Sequence, residues 1–198
     1  MPNTEPVNDH TGVTELILRR AEEAGLSQVY PIGAVSIGSK GEHLTEFGEL
    51  QRAGCVAVSD DGHPVADSLL MRRALEYASM FNMPVINHCE DPSLKGDGAA
   101  NEGYNASVLG LRGIPGAAES IMVERDVSLS ELTGGHVHVA HMSSRGSLRA
   151  VRSGKDRDVS VTCEVTPHHL VLTDESLSYD TNLKMNPPLR EVADRDAM

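Results

Sequence analysis

Val58-Ser59-Asp60-Asp61-Gly62 is a short apolar run that ends in two carboxylates and a turn residue. Two later stretches repeat the form: Val85-Ile86-Asn87-His88-Cys89-Glu90-Asp91 and His138-Val139-Ala140-His141. Parallel strands of an α/β barrel deliver their functional side chains at their carboxyl ends, so one carboxylate and two imidazoles arriving this way converge on one mouth. Carboxylate and imidazole are the donors of a hydrolytic zinc centre. Taken singly, each has a plainer reading, since a His after a strand is usually a hydrogen-bonded structural residue and Asp-Gly a turn. It is the shared placement at three strand ends that points to a metal.

Around these stretches the chain alternates. Prolines make residues 1–6 a loop, Asn8-Asp9-His10-Thr11 supplies a cap, and the spacing of Leu16, Ile17 and Ala21 predicts a helix from Val13 to Ala24, stopped by Gly25. A strand follows over 29–35, a short helix over 44–53, the strand 55–59, a helix over 68–81 and the strand 84–88. A long Gly- and Asn-rich loop then runs to Gly113, Pro115 opens a helix to about Val123, and a further short helix is expected over 128–132. Strand 136–141, helix 146–152 and strand 159–165 complete the series before a Pro-, Asn- and Asp-rich tail. Such βα alternation predicts a parallel sheet with helices outside. No Gly-rich phosphate fingerprint follows any strand, which favours a barrel over a dinucleotide-binding sheet. Five strands are visible where a closed barrel needs eight, so either the sheet is open or the chain is a piece of a barrel.

Strand parity selects among the candidate donors. Side chains alternate between faces, so His141 shares a face with Val137 and Val139, while His136 and His138 share the other. The His136-x-His138 pair also sits at the start of its strand, and both are read as solvated or helix-facing. In the first stretch Asp61 shares a face with Cys55, Ala57 and Ser59, which makes Asp61 the ligand candidate and Asp60 a solvated or turn-bonded residue. Glu90 and Asp91 read as a solvated loop after their strand.

Composition excludes other classes. The chain has 198 residues, 39% hydrophobic and 23% charged, with a formal charge of −12 and scattered basic residues. That balance argues against nucleic acid, as does the absence of Trp beside only two Phe and four Tyr. Cys55, Cys89 and Cys163 lack framework spacing and read as free thiols in a reducing compartment. With no span approaching the ~20 apolar residues that cross a bilayer and no signal peptide, the expectation is a cytoplasmic protein in a single domain over 1–198.

A family resemblance rests on an ordered series of motifs. Met1-Pro2-Asn3-Thr4-Glu5-Pro6, Pro31-Ile32-Gly33-Ala34, Ser59-Asp60-Asp61-Gly62, Asn87-His88-Cys89-Glu90-Asp91, Gly110-Leu111-Arg112-Gly113-Ile114-Pro115, Ala140-His141-Met142-Ser143, Cys163-Glu164-Val165-Thr166-Pro167-His168-His169-Leu170 and Asn186-Pro187-Pro188-Leu189-Arg190 run the length of the chain. The series resembles class I dihydroorotase of the amidohydrolase superfamily. The resemblance implies a distorted TIM (β/α)8 barrel, of which this chain would hold strands three to seven in an incomplete barrel domain. It implies a centre of one or two Zn2+ ions that interconverts L-dihydroorotate and N-carbamoyl-L-aspartate in pyrimidine biosynthesis. Asp61 then corresponds to the bridging carboxylate, where hydantoinases and allantoinases show a carboxylated lysine. His88 and His141 correspond to the imidazole ligands of the second metal, and Asn3 and Asn186 to substrate-binding residues, with Asn182 the weaker candidate nearby. His168 and His169 match a family signature but read as structural.

The resemblance also implies parts that these residues do not include. The first-strand His-x-His-x-Arg motif would lie before Met1, and the catalytic aspartate, with a substrate-binding histidine nearby, would lie beyond Met198. The 198-residue chain alone is therefore expected to be inactive and poorly stable, with unpaired sheet edges. The expected partner is the small-molecule substrate, with a homodimer or an association with aspartate transcarbamoylase left open. The rival readings are a non-catalytic dihydroorotase-like scaffold of aspartate transcarbamoylase and a related cyclic-amide hydrolase. The flanking sequence separates the first from an enzyme, and a comparison of dihydroorotate with hydantoin as substrates separates the second.

Overall fold

Helix and strand alternate along the chain in the computed structural model, which describes residues 1–198. In order the elements are α1 (Thr11–Ala24), β1 (Ile32–Gly33), α2 (Phe47–Ala53), β2 (Ala57–Ser59), α3 (Ser68–Ser79) and β3 (Val85–Asn87). There follow α4 (Pro92–Lys95), β4 (Ala100–Asn101), α5 (Tyr104–Val108), β5 (Gly113–Ile114), α6 (Ala117–Thr133) and β6 (Val137–Val139). Last come α7 (Arg145–Lys155), β7 (Val161–Cys163), α8 (Pro167–Val171) and α9 (Val192–Arg195), with 3-10 turns at Ile37–Ser39, Asp174–Ser176 and Thr181–Leu183. The main sheet has five strands in the order β1-β2-β3-β6-β7, and β4 pairs with β5 in a small second sheet. The five expected strands are thus the five of the main sheet.

The residues group into two compact units, Met1–His88 with Leu129–His138, and Cys89–Ser128 with Val139–Met198. In the first unit β1, β2 and β3 are parallel, with Val58 opposite both Gly33 and Val85. Val85 N–H donates to the carbonyl of His136 at 2.9 Å. Val35, Phe47, Leu50, Val58, Met71 and Leu75 are sealed from solvent and make its core. Phe47 stacks on Tyr77 at 4.9 Å between ring centroids. Asp67 caps α3 by accepting from Leu70 N–H, a bond worth about 1 kcal/mol to a helix. In the second unit Met122, Val123, Val139, Met142, Val151 and Leu189 are buried.

Four local expectations change. The strand expected over 29–35 shrinks to Ile32–Gly33, because Pro31 has no N–H to give a ladder and Ala34 donates to Asn8 O instead. Asn8 does not cap α1; its side chain donates to Ile32 O and accepts from Thr14 Oγ1 inside the unit. The helices expected around 115–123 and 128–132 are one helix, α6, since Glu124-Arg125-Asp126 contains no breaker and Asp126 is satisfied by Arg125 at 2.7 Å. The long loop before Gly113 contains α4, α5 and β4, the partner of β5. That small sheet depends on two close approaches: a methyl group at Gly113 would stand 2.6 Å from Glu102 Cα, and one at Gly98 would stand 2.9 Å from the Lys95 carbonyl oxygen.

Candidate functional site

In the first unit the donors leave neighbouring strands. Asp61 follows β2 in a left-handed backbone conformation, φ 54°, and its N–H is held by Ser59 Oγ at 3.0 Å. His88 directly follows β3 and is buried at 3% exposure. Asn87, also buried, accepts from Val65 N–H at 3.2 Å and so fixes the backbone just before His88. Asp60 is not solvated. It is buried, and its two oxygens accept from Ser36 N–H at 3.0 Å and Ser36 Oγ at 2.5 Å. Burial pushes its carboxyl above the usual range, against the hydrogen bonds from Ser36. Both carboxylates lie beyond the end of β2, and Asp60 is packed against the segment after β1 rather than open to water. Asn3 is exposed in the N-terminal bend.

The second unit holds His141 just past β6, at φ 34°, another left-handed position for a residue with a Cβ. The backbone there is tied down group by group. His141 N–H points to Glu164 Oε1 at 3.4 Å, and Met142 N–H donates to Glu164 O at 2.8 Å. Ser143 N–H donates to both oxygens of Glu119, at 3.0 and 3.2 Å, and Ser144 N–H to Oε1 at 2.9 Å. The hydroxyls of Ser143 and Ser147 also donate to Glu119. The guanidinium of Arg190 stands 3.7 Å from Oε2, and both side chains are buried. Burial alone would raise the Glu119 carboxyl; Arg190 and the serine donors outweigh it and hold it below its ordinary value. Arg190 further donates to Ser143 Oγ, Asn101 Oδ1 and Ile114 O, each at 3.0 Å, and Asn101 donates to Asp174 at 3.0 Å.

The remaining candidates sort clearly. His136 and His138 are half-buried while Val137 and Val139 between and after them are sealed, as parity requires. His169 is structural: Thr166 Oγ1 lies 2.7 Å from its Nδ1, and Pro187 O lies 3.1 Å from its Nε2. Asp91 caps α4 through Ser93 and Leu94, and these hydrogen bonds, Ser93 first, lower its carboxyl. Glu90, expected in water, is buried, paired with Lys95, and accepts from Asn186 Nδ2 at 3.5 Å. A loop carboxylate reads as solvated only while its cation is unseen, and α4 brings Lys95 back to it. Asn182 bonds only to nearby Asp180.

Asp61, His88 and His141 have the donor chemistry that suits zinc. No three His, Cys, Asp or Glu side chains of the chain lie close enough to one another to hold an ion. The best-braced group of all, Glu119 with Arg190, has no local signal in the sequence. Glu119 sits in an ordinary helix start, and Arg190 ends a Pro-rich motif that stands out only through the family resemblance.

The fold defines a class: an α/β chain that matches about half of solved hydantoinase and dihydroorotase folds. It superposes over 100% of its length on L-hydantoinase from Arthrobacter aurescens, with a TM-score of 0.75 at 18% identity, covering 45% of that chain. It does the same on dihydroorotase in complex with 5-fluoroorotic acid from Saccharomyces cerevisiae, with a TM-score of 0.75 at 15% identity and 55% of that chain covered. The sequence narrows this. Residues 1–147 match the family model described as Dihydro-orotase-like. The chain is 58% identical over 197 residues to dihydroorotase of Anaeromyxobacter sp. (strain K), covering 98% of this chain and 46% of that protein. It is 56% identical over 199 residues to dihydroorotase of Desulforapulum autotrophicum, covering 47% of it. The chain belongs to the dihydroorotase-like family and spans about half the length of the curated relatives it matches.

Proposed function

We propose that the protein containing this chain is a zinc-dependent dihydroorotase that interconverts L-dihydroorotate and N-carbamoyl-L-aspartate. The observation that carries the reading is the identity of 58% to a dihydroorotase across nearly the whole chain. In this reading Asp61, His88 and His141 would hold one or two zinc ions. Zinc, when bound, supplies a water of lowered pKa and polarises the ring carbonyl. What the chain's own residues contribute is orientation. Ser59 and the turn after it aim Asp61, Asn87 fixes the backbone that presents buried His88, and the braced turn after β6 aims His141. Asn3 and Asn186 would bind the substrate, their amides able to donate to its carboxylate. Glu90 accepts from Asn186 Nδ2, which helps to orient the amide.

The test is turnover of dihydroorotate by the full-length protein, with and without chelator, in wild type and in Asp61→Ala, His88→Ala and His141→Ala. Each variant is expected to lose at least ~100-fold in activity, more than the loss typical of an outer partner of a metal ligand. Wild-type activity that survives chelation, or a preference for hydantoin over dihydroorotate, would overturn the assignment.

A further inference from the structure

We propose that Glu119 is a positioning residue for His141, setting the turn that presents the imidazole at the end of β6; this rests on the reading of His141 as a metal ligand. His141 occupies a left-handed conformation at φ 34°. A residue with a Cβ persists there only where its surroundings over-determine the backbone. The surroundings are two glutamates. Glu164, at the end of β7, takes the N–H of His141 and, through its carbonyl, that of Met142. Glu119, in the first turn of α6, takes the next two, from Ser143 and Ser144. Four consecutive N–H groups are therefore committed, and Glu119 holds the two on the far side of the histidine.

Glu119 is built for that task. It is 3% exposed and receives the Ser143 and Ser147 hydroxyls as well as the two amides, while Arg190 supplies the countercharge. All of its partners are donors. Only a carboxylate offers acceptors on both oxygens, since an amide would turn an NH2 toward an N–H. Glu119 touches no reacting atom in this account; it acts on the ligand through the turn.

The experiment uses the full-length protein loaded with Co2+ as the probe. Affinity is measured by competition with a chelator, the visible Co2+ bands are recorded, and hydrogen exchange is followed at the Ser143 and Ser144 amides. Glu119→Gln is expected to weaken Co2+ binding by about 10- to 100-fold, the range for loss of a partner that orients a metal ligand. It should also shift the visible bands and speed both amides. In a His141→Ala background the same substitution should change Co2+ affinity no further, because it acts through the histidine. Ser147→Ala, which deletes one donor and keeps the carboxylate, should move affinity and bands the same way by less, and it serves if Glu119→Gln does not fold. Faster amides with unchanged affinity and bands would make Glu119 merely structural and overturn the proposal. Unchanged Co2+ affinity in His141→Ala alone would instead overturn the ligand reading beneath it, so the two failures are separable.

Discussion

After β2 the chain turns through Asp61 at φ 54°, and after β6 it turns through His141 at φ 34°. Beside each turn a buried carboxylate grips one serine by both its N–H and its hydroxyl: Asp60 holds Ser36, and Glu119 holds Ser143. The same device is built with opposite proton affinities. Asp60 has hydrogen bonds from Ser36 and Val35 and only a minor attraction from His63, which together do not offset burial, so its carboxyl is raised. Glu119 has further serine donors and Arg190, so its charge prevails and its carboxyl is lowered. Both buried acids brace a serine beside a turn, but only Glu119 is paired with a distant arginine.

The largest effect that tests this contrast comes from that arginine. Arg190→Met leaves Glu119 charged, buried and without its cation, and is expected to destabilise the protein by about 3–5 kcal/mol in urea unfolding. Adding Glu119→Gln should recover part of the loss, because two partners of one buried pair are not additive. Asp60→Asn sits at the other extreme. Its amide can still accept from Ser36 N–H while the hydroxyl turns to accept from the new NH2, so a cost of about 1 kcal/mol or less is expected. A cost equal to that of Arg190→Met would break the comparison.

The acid limb of stability sharpens it. Glu119 has a folded value below its unfolded one, so its contribution is present above about pH 4.3 and is lost as pH falls through the folded value. Asp60 has a folded value above its unfolded one, so its contribution is present below about pH 3.9 and is lost as pH rises through the folded value. Urea midpoints measured from about pH 3 to 6 should therefore fall less steeply toward acid in Glu119→Gln than in wild type, and more steeply in Asp60→Asn. Slopes that move the same way in both variants would refute the opposite directions of the two shifts.

The smallest expected effect concerns the thiols of the two units. Cys55 is raised by burial, against hydrogen bonds from Thr14 and Asn8, and Cys89 is raised well above its ordinary value by burial and then by the charge of Asp126. Cys163 is only half-buried. Alkylation of the native protein followed by mass spectrometry should mark Cys163 first and leave Cys55 and Cys89 intact, with Cys89 the slowest. Labelling of Cys89 ahead of Cys55 would show that its carboxylate neighbour does not hold the thiol protonated.

Much of this architecture is legible in the residues themselves. The runs at 55–59 and 84–88 read as strands because they are short and largely apolar, and those at 136–141 and 159–165 because apolar residues, mainly valine, recur at every second position. Gly25 and Gly134 mark helix ends, and period two separates His141 from His136 and His138. The pair β4 and β5 is illegible because two-residue strands carry no periodicity. Asp60, Glu90, Glu119 and Arg190 escape for a different reason: a charged residue looks solvated until the fold supplies its partner, and those partners lie 24, 5 and 71 positions away, Ser36, Lys95 and the Glu119–Arg190 pair itself. Asp61, His88 and His141 stand out for the converse reason, since each ends an apolar run.

Gly113 and Gly98 carry a consequence for how this region can vary through descent. Every amino acid reachable from a glycine codon by one base change brings a Cβ, and at these two positions a Cβ meets backbone, Glu102 Cα in one case and the Lys95 carbonyl in the other. Ile114, next to Gly113, supplies a carbonyl that Arg190 requires. Any side chain at Gly113 must therefore displace backbone beside the carbonyl that holds Arg190, so a change at this one glycine reaches the arginine seventy-odd residues downstream.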